Sequence, residues 1–323
     1  MNRSVISISK PSARAFSLAR LSLGLLSTSL VVASCAVKPT ATHDNPERKM
    51  RPVPEAAILK LQTGTVVLDV RSPFEFSTGH VPKSYNIAWD QFSERDPAQH
   101  GSLQGDAFAI ARKLARMGIA PLTNVVVVGK GLSGNGEEGR VAWMLQYLGV
   151  KDVRFGSLAA FKGHLTANDV TDLDQSVPIW KPEISEGLLV PRAELQAALN
   201  HHASVTPMAF RPDQKPQIYR ILDVRDEKDY LGKEGFGAAH AVPNFDAINI
   251  PWKQFFDPLL RPNYELLQQL KAVGITPVQR LIVIGVEGVT SAAVTMSLRA
   301  MGYDFAGNEA GGLKDLMSAY PAP

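Results

Sequence analysis

The tetrapeptide Leu68-Asp69-Val70-Arg71 returns 154 residues later as Leu222-Asp223-Val224-Arg225, and Gly118-Ile119-Ala120-Pro121 returns 156 residues later as Gly274-Ile275-Thr276-Pro277. His80-Val81-Pro82 has its counterpart in His240-Ala241-Val242-Pro243 after a six-residue insertion, placed at Leu231 to Phe236. Ile248-Asn249-Ile250-Pro251-Trp252 matches the segment that ends at Trp89. So many uncommon residues at a nearly constant offset mean that one folding unit has been written twice. In each unit a β-branched apolar run feeds a glycine-containing loop and then a helical run. These are Val125 to Val128, Gly129-Lys130-Gly131 and Val141 to Leu148, and then Leu281 to Ile284, Gly285 to Thr290 and the run from Ser291. A strand apolar at every position is buried on both faces, and alternation of strands with helices predicts an α/β fold with a parallel sheet covered on both sides. The helix that opens after each loop presents backbone N–H groups and the positive end of its dipole, a place to hold an anion.

At 323 residues the chain exceeds the usual size of one core, in keeping with two domains. The formal charge of +3 comes from Arg3, Lys10, Arg14 and Arg20, which lie in an acid-free opening segment. Without those four, 30 basic residues face 31 acidic ones, so nucleic acid is not an expected partner. After Arg20, Leu21 to Val32 is an apolar run too short for a membrane span and is read as the core of a signal peptide covering 1–34. Val32-Ala33-Ser34-Cys35 resembles the bacterial lipobox, which makes Cys35, the chain's single cysteine, the expected site of lipidation and the link to a membrane. Ala36 after it favours the outer membrane, facing the periplasm, by the same resemblance. Residues 35–51, with Pro39 and Pro46, read as a tether.

The first domain is expected over 52–165, beginning with a short helix from Glu55 to Leu61, and the second over 188–323, with a polar linker over 166–187 carrying Pro178 and Pro182. The run Leu68-Asp69-Val70-Arg71-Ser72-Pro73-Phe74-Glu75-Phe76, followed by Gly79-His80-Val81-Pro82 and Tyr85-Asn86-Ile87, resembles the rhodanese signature. The doubled chain resembles the tandem rhodaneses, the thiosulfate sulfurtransferase architecture, from about Pro52 to Leu316. The resemblance implies two rhodanese-like domains, each with a parallel sheet of about five strands. It also implies that Asp69, Arg71, Asp223 and Arg225 are scaffold, that His80 and His240 anchor turns, and that Gly311-Gly312-Leu313 forms a structural turn for which the first copy has Gly156-Ser157-Leu158.

That family's chemistry rests on a cysteine at the end of the fourth long strand, whose thiolate takes up sulfane sulfur as a persulfide. Here the position is Gly129 in the first copy and Gly285 in the second. The second loop, Gly285-Val286-Glu287-Gly288-Val289-Thr290, keeps the family's closing Gly-Val-Thr and its 17-residue spacing from Gly285 to Gly302. Val286 and Glu287 stand where basic residues usually help the thiolate. The first loop is three residues longer, 20 from Gly129 to Gly149; Lys130 and Arg140 give it positive charge that Glu137 and Glu138 offset, and it reads as a flexible remnant of an active-site loop. It lacks the Gly-Lys-Ser/Thr ending of a phosphate-binding loop. Ser133, Thr290 and Ser291 are expected to cap helices. His201-His202 lacks further ligands, so no metal and no cofactor are expected. The expected function is an envelope lipoprotein whose two degenerate domains bind a small anion or a protein partner. The alternative is a sulfurtransferase-pathway protein acting as a partner or by chemistry without cysteine.

Overall fold

The computed structural model describes residues 61–168, 176–200, 219–240, 242 and 247–319. The expected signal segment with Cys35, the expected tether, most of the helix expected from Glu55 to Leu61 and the His201-His202 pair lie outside the described residues. The chain divides into two compact units, Met1–Asp44 and Asn45–Pro323, and both sequence repeats belong to the second.

The first repeat runs β1 (Val66–Asp69), α1 (Pro73–Thr78), β2 (Tyr85–Asn86), α2 (Ala107–Arg116), β3 (Val125–Gly129), α3 (Glu137–Tyr147) and β4 (Val153–Ser157). After α4 (Arg192–Asn200), the second gives β5 (Tyr219–Asp223), α5 (Glu227–Tyr230), α6 (Gly235–His240), β6 (Ile248–Asn249), α7 (Leu266–Ala272), β7 (Arg280–Ile284), α8 (Val289–Ala300), β8 (Ala306–Asn308) and α9 (Gly312–Ala319). Each repeat forms a parallel four-stranded sheet, in the orders β2-β1-β3-β4 and β6-β5-β7-β8. Among the described residues there are thus four strands per sheet where about five were expected. The second of them in each copy is only two residues long, and its asparagine, Asn86 or Asn249, stays in the ladder while its side chain bonds the loop beside it. In both sheets the strand order reverses between the first strand and the third, so a crevice opens at their carboxyl ends. The glycine loops sit there.

Strand alternation explains the four valines of β3. Val125 and Val127 face a large apolar cluster shared by both repeats, while Val126 and Val128 face a smaller one with Val67, Val81 and Phe161. The shared cluster includes the apolar residues Val141 to Leu145 of α3 and Ala292 to Val294 of α8, helices that are buried nearly all round, since each lies between its own sheet and the other helix. Gly139 marks where they meet. A β-carbon there would fall 2.4 Å from the Ala293 β-carbon, so only glycine permits this approach. α2 is instead one-sided: Asp106 caps it by accepting from the N–H groups of Phe108 and Ala109, and Ile110, Ala111, Leu114 and Ala115 face inward.

The expected linker is stitched to the first repeat along its described part. The Val177 N–H donates to the Ala115 carbonyl at 2.9 Å, Trp180 Nε1 to Ile119 at 2.8 Å, and the Ser185 N–H to Tyr147 at 2.8 Å. No helix among the described residues is long and apolar enough to cross a membrane.

Candidate functional site

The crevice of the first repeat is built on Asp69, at the end of β1. Asp69 receives Arg71 through Nε at 3.0 Å and Nη2 at 2.6 Å, and Arg71 Nη2 also holds the Gly79 carbonyl at 2.7 Å. The second repeat repeats this with Asp223 and Arg225, whose Nη1 adds Asp229 at 3.0 Å. His80 Nδ1 lies 2.9 Å from the Phe76 carbonyl with its ring stacked on Phe76, and His240 does the same on Phe236. In this arrangement both ion pairs and both histidines brace turns.

In the first glycine loop the chain leaves β3 at Gly129, turns through Lys130 and a left-handed Gly131, and enters α3 through a left-handed Gly136. The space beside Gly129 is filled. A β-carbon on Gly129 would lie 2.9 Å from Cδ and Oε1 of Glu138 and 3.0 Å from its Oε2. The Gly131 N–H donates to Glu138 Oε1 at 2.8 Å. The side chain of Glu138 is wholly buried, and burial pushes its carboxyl up to about 8 against the pull of its own N–H and that of Gly131, with Glu137 and Asp69 raising it further. Among the described residues its Oε2 has no hydrogen-bond partner. The loop is therefore not the flexible remnant expected from its glycines. It is pinned from within by a carboxyl at the start of α3, where the helix N-terminus favours one. Glu138 does not simply offset Lys130; Lys130 pairs instead with Glu75 at 2.9 Å, and Ser72 together with Lys130 holds Glu75 down to about 2. Above the loop lies a cleft of about 240 Å³ walled by Arg71, Ser72, Asn86, Trp89, Lys130 and Glu137.

Arg140 was expected to lend charge to this loop, and it does not. It is buried in the other direction, stacked over Trp143 at 4.6 Å, with Nη2 donating to the Gly101 carbonyl. Burial depresses its guanidinium to about 9, while Glu309 and Glu287 of the second repeat work against that. The helix phase decides this, because Arg140 lies two residues past Glu138 and so faces the neighbouring repeat.

The second loop differs. A β-carbon on Gly285 would meet Thr290 Oγ1 at 2.8 Å, Ser291 Oγ at 3.5 Å and Val224 Cγ2 at 3.6 Å, so two hydroxyls border the position where the first loop has a carboxyl. Gly288 is left-handed, and a β-carbon there would sit 1.9 Å from the Ala310 carbonyl oxygen, which fixes glycine at that position. Val286 accepts through its carbonyl from the Lys314 N–H at 2.9 Å, and Val289 and Thr290 begin α8. Glu287 binds Lys314 Nζ at 2.5 Å, with His100 Nδ1 3.9 Å away. Gly101 of the first repeat sits directly on this loop, its absent β-carbon 2.2 Å from the Glu287 carbonyl oxygen. Among the described residues neither crevice brings a cysteine to the strand end, and the side-chain hydroxyls of Thr290 and Ser291 border Gly285. Among the described residues no group of three or more His, Cys, Asp or Glu is placed to hold a metal ion. Sequence reasoning missed the roles of Glu138, Gly101 and Glu309. Only Glu138 carried a signal, as an acid in the first turn of a helix that follows a glycine loop.

Residues 53–164 match the family model described as Rhodanese-like domain. Among solved structures the chain is similar to SseA of Escherichia coli, described as having the rhodanese fold and as a 3-mercaptopyruvate sulfurtransferase, at 18% identity and a TM-score of 0.61, over 82% of this chain and 98% of that one. It is similar to the Tum1 protein of Saccharomyces cerevisiae at 15% identity and a TM-score of 0.64, over 85% and 97%. It is also similar to the anaerobic ergothioneine biosynthesis enzyme of Chlorobium limicola, in complex with trimethyl histidine, at 18% identity and a TM-score of 0.66, over 85% and 69%. No curated protein matches the chain. At these identities the likeness establishes the α/β fold and leaves the chemistry to the site.

Proposed function

We propose that this chain is a tandem rhodanese without sulfur-transfer activity, which acts as a binding protein held at the bacterial envelope through a lipid on Cys35. The observation that carries the reading is the carboxyl of Glu138 in the space beside Gly129, together with glycine at both strand ends. A persulfide carrier needs a thiolate in a cradle of N–H groups. Here the first cradle is occupied by the chain's own side chain, and the second is overlaid by the Gly101 segment and the Glu287 and Lys314 ion pair. The cleft over the first loop remains open beside Trp89, and a small anion or a group on a protein partner would enter it by drawing Lys130 from Glu75. The sheets and their bracing ion pairs are kept while the nucleophile is not, which favours selection on shape and binding.

The test is thiosulfate:cyanide sulfurtransferase activity of the full chain beside Gly285→Cys and Gly129→Cys variants. The parent is expected to be silent. Gly285→Cys is expected to gain weak turnover, since a threonine hydroxyl can rotate aside, whereas Gly129→Cys stays silent until Glu138 is also shortened to alanine. Activity in the parent that survives Cys35→Ser would overturn the reading. For the anchor, labelling with radioactive palmitate in a bacterial host is expected to mark the parent chain and not Cys35→Ser; equal labelling of both would remove the lipoprotein assignment.

A further inference from the structure

The described chain begins at Leu61, which packs against the cluster of Val67, Val126 and Phe161 on the first sheet. Gln62 Oε1 accepts from Asn124 Nδ2 at 3.1 Å, and the Val66 N–H donates to the Asn124 carbonyl at 2.9 Å. The chain arriving from Cys35 therefore joins the folded body where β1 and β3 begin. The same end carries two exposed apolar side chains. Leu122, 79% exposed, stands in the turn from Ala120 to Thr123 just before β3. Ile179, 58% exposed, stands beside Trp180, whose Nε1 is tied to the Ile119 carbonyl. Close to them in the fold are the exposed Arg116 and Lys181 and the half-buried Lys151, whose N–H donates to the Pro121 carbonyl. Of the acids at this end, Asp152 lies 3.7 Å from Arg154, and Glu183 is exposed.

We propose that this end of the first repeat is the face the protein lays on an anionic lipid bilayer, with Leu122 and Ile179 entering the headgroup layer and Arg116, Lys151 and Lys181 meeting the phosphates. This orientation rests on the lipid anchor at Cys35 proposed above, and it adds which way the anchored body faces. A chain held at Cys35 presents to the bilayer, at the highest effective concentration, the end at which its tether joins the fold. Leu122 and Ile179 lose water-exposed apolar area by entering the headgroup layer, and cations beside them are drawn to anionic headgroups. The equivalent turn of the second repeat shows what the charge adds. Val278 is 72% exposed there, but Ala272 and Asp304 stand where the first repeat has Arg116 and Lys151, so Lys271 of that end is matched in charge by Asp304. An anionic surface thus selects the first repeat over the second.

The test couples the full chain through its single cysteine to a maleimide lipid in vesicles of phosphatidylcholine and phosphatidylglycerol, and follows backbone hydrogen exchange. Because the coupling itself supplies the anchor, the result does not depend on whether a cell lipidates Cys35, which the palmitate labelling decides separately. Amides of 116–123 and 176–184 are expected to exchange at least roughly threefold more slowly than in the chain without vesicles, while those of 272–279 keep their rate. Leu122→Asp combined with Ile179→Asp, both at exposed positions, should return the first two segments to their rate without vesicles. Vesicles of phosphatidylcholine alone should protect them less. The orientation is overturned by no slowing at 116–123 and 176–184, by equal slowing at 272–279, by slowing that survives the double variant, or by equal slowing on phosphatidylcholine alone.

Discussion

Gly129 and Gly285 occupy equivalent strand ends, yet their surroundings ask for different things. Beside Gly285 a new β-carbon meets hydroxyls, and beside Gly129 it meets a buried carboxyl held by the Gly131 N–H. A carboxyl in that place takes the hydrogen bond that an outside anion would need. Shortening it should return the cradle to solvent. In Glu138→Ala, sulfate or thiosulfate at millimolar concentration is expected to raise the melting temperature and protect Gly131 from hydrogen exchange, while leaving the parent unchanged. If both proteins respond alike, the anion binds elsewhere and the carboxyl is only packing. The isosteric Glu138→Gln is expected to fold and to remain insensitive to the anion, since the amide still accepts from Gly131.

The pairing of α3 with α8 is the corresponding feature at the level of elements. Equivalent helices of the two repeats meet where Gly139 faces Ala293, and their apolar residues form one continuous cluster. Glycine inside a helix costs up to about 1 kcal/mol against alanine. The close approach offsets that by letting large residues such as Trp143 and Met144 be fully buried around it. Gly139→Ala therefore sets a propensity gain of up to about 1 kcal/mol against overpacking of about 1–3 kcal/mol. A net loss of stability is expected in urea unfolding. Ala293→Gly in the same chain should restore part of it, a coupling that two independent surface effects would not show.

At the scale of the whole molecule, two buried carboxyls, Glu138 and Glu309, are raised from 4.5 to about 8. The folded state then keeps protons that the unfolded chain releases between about pH 4.5 and pH 8. Their contribution to stability is full below about 4.5 and is lost as pH rises through about 8, by at most about 1.4 kcal/mol per pH unit for each group. Arg140, depressed to about 9, binds its proton in both states across this window and adds no slope. Unfolding in urea should therefore need more denaturant at pH 5.5 than at pH 8, and the Glu138→Gln, Glu309→Gln double variant should narrow the gap. A parent whose midpoint is flat or rises over this range would show that one or both carboxyls are ionised in the folded protein.

The sequence by itself determined the doubling of the unit, the parallel α/β sheets and the two glycine strand ends. These follow from residues close together in the chain, where strand period and a constant offset leave few arrangements open; the bracing roles of Asp69, Arg71, Asp223, Arg225, His80 and His240 were implied only by the resemblance to the rhodaneses. It did not reveal that Glu138 fills the first cradle, that Arg140 turns to the neighbouring repeat, or that Gly101 overlays the second loop. Those depend on which face of α3 meets which sheet and on contacts between residues far apart in sequence, Gly101 with Glu287 among them. A glutamate two residues into a helix reads as a solvated charge until packing encloses it. Only the tertiary structure decided whether each loop was empty or occupied, because occupancy is set by the distance between side chains and not by their order.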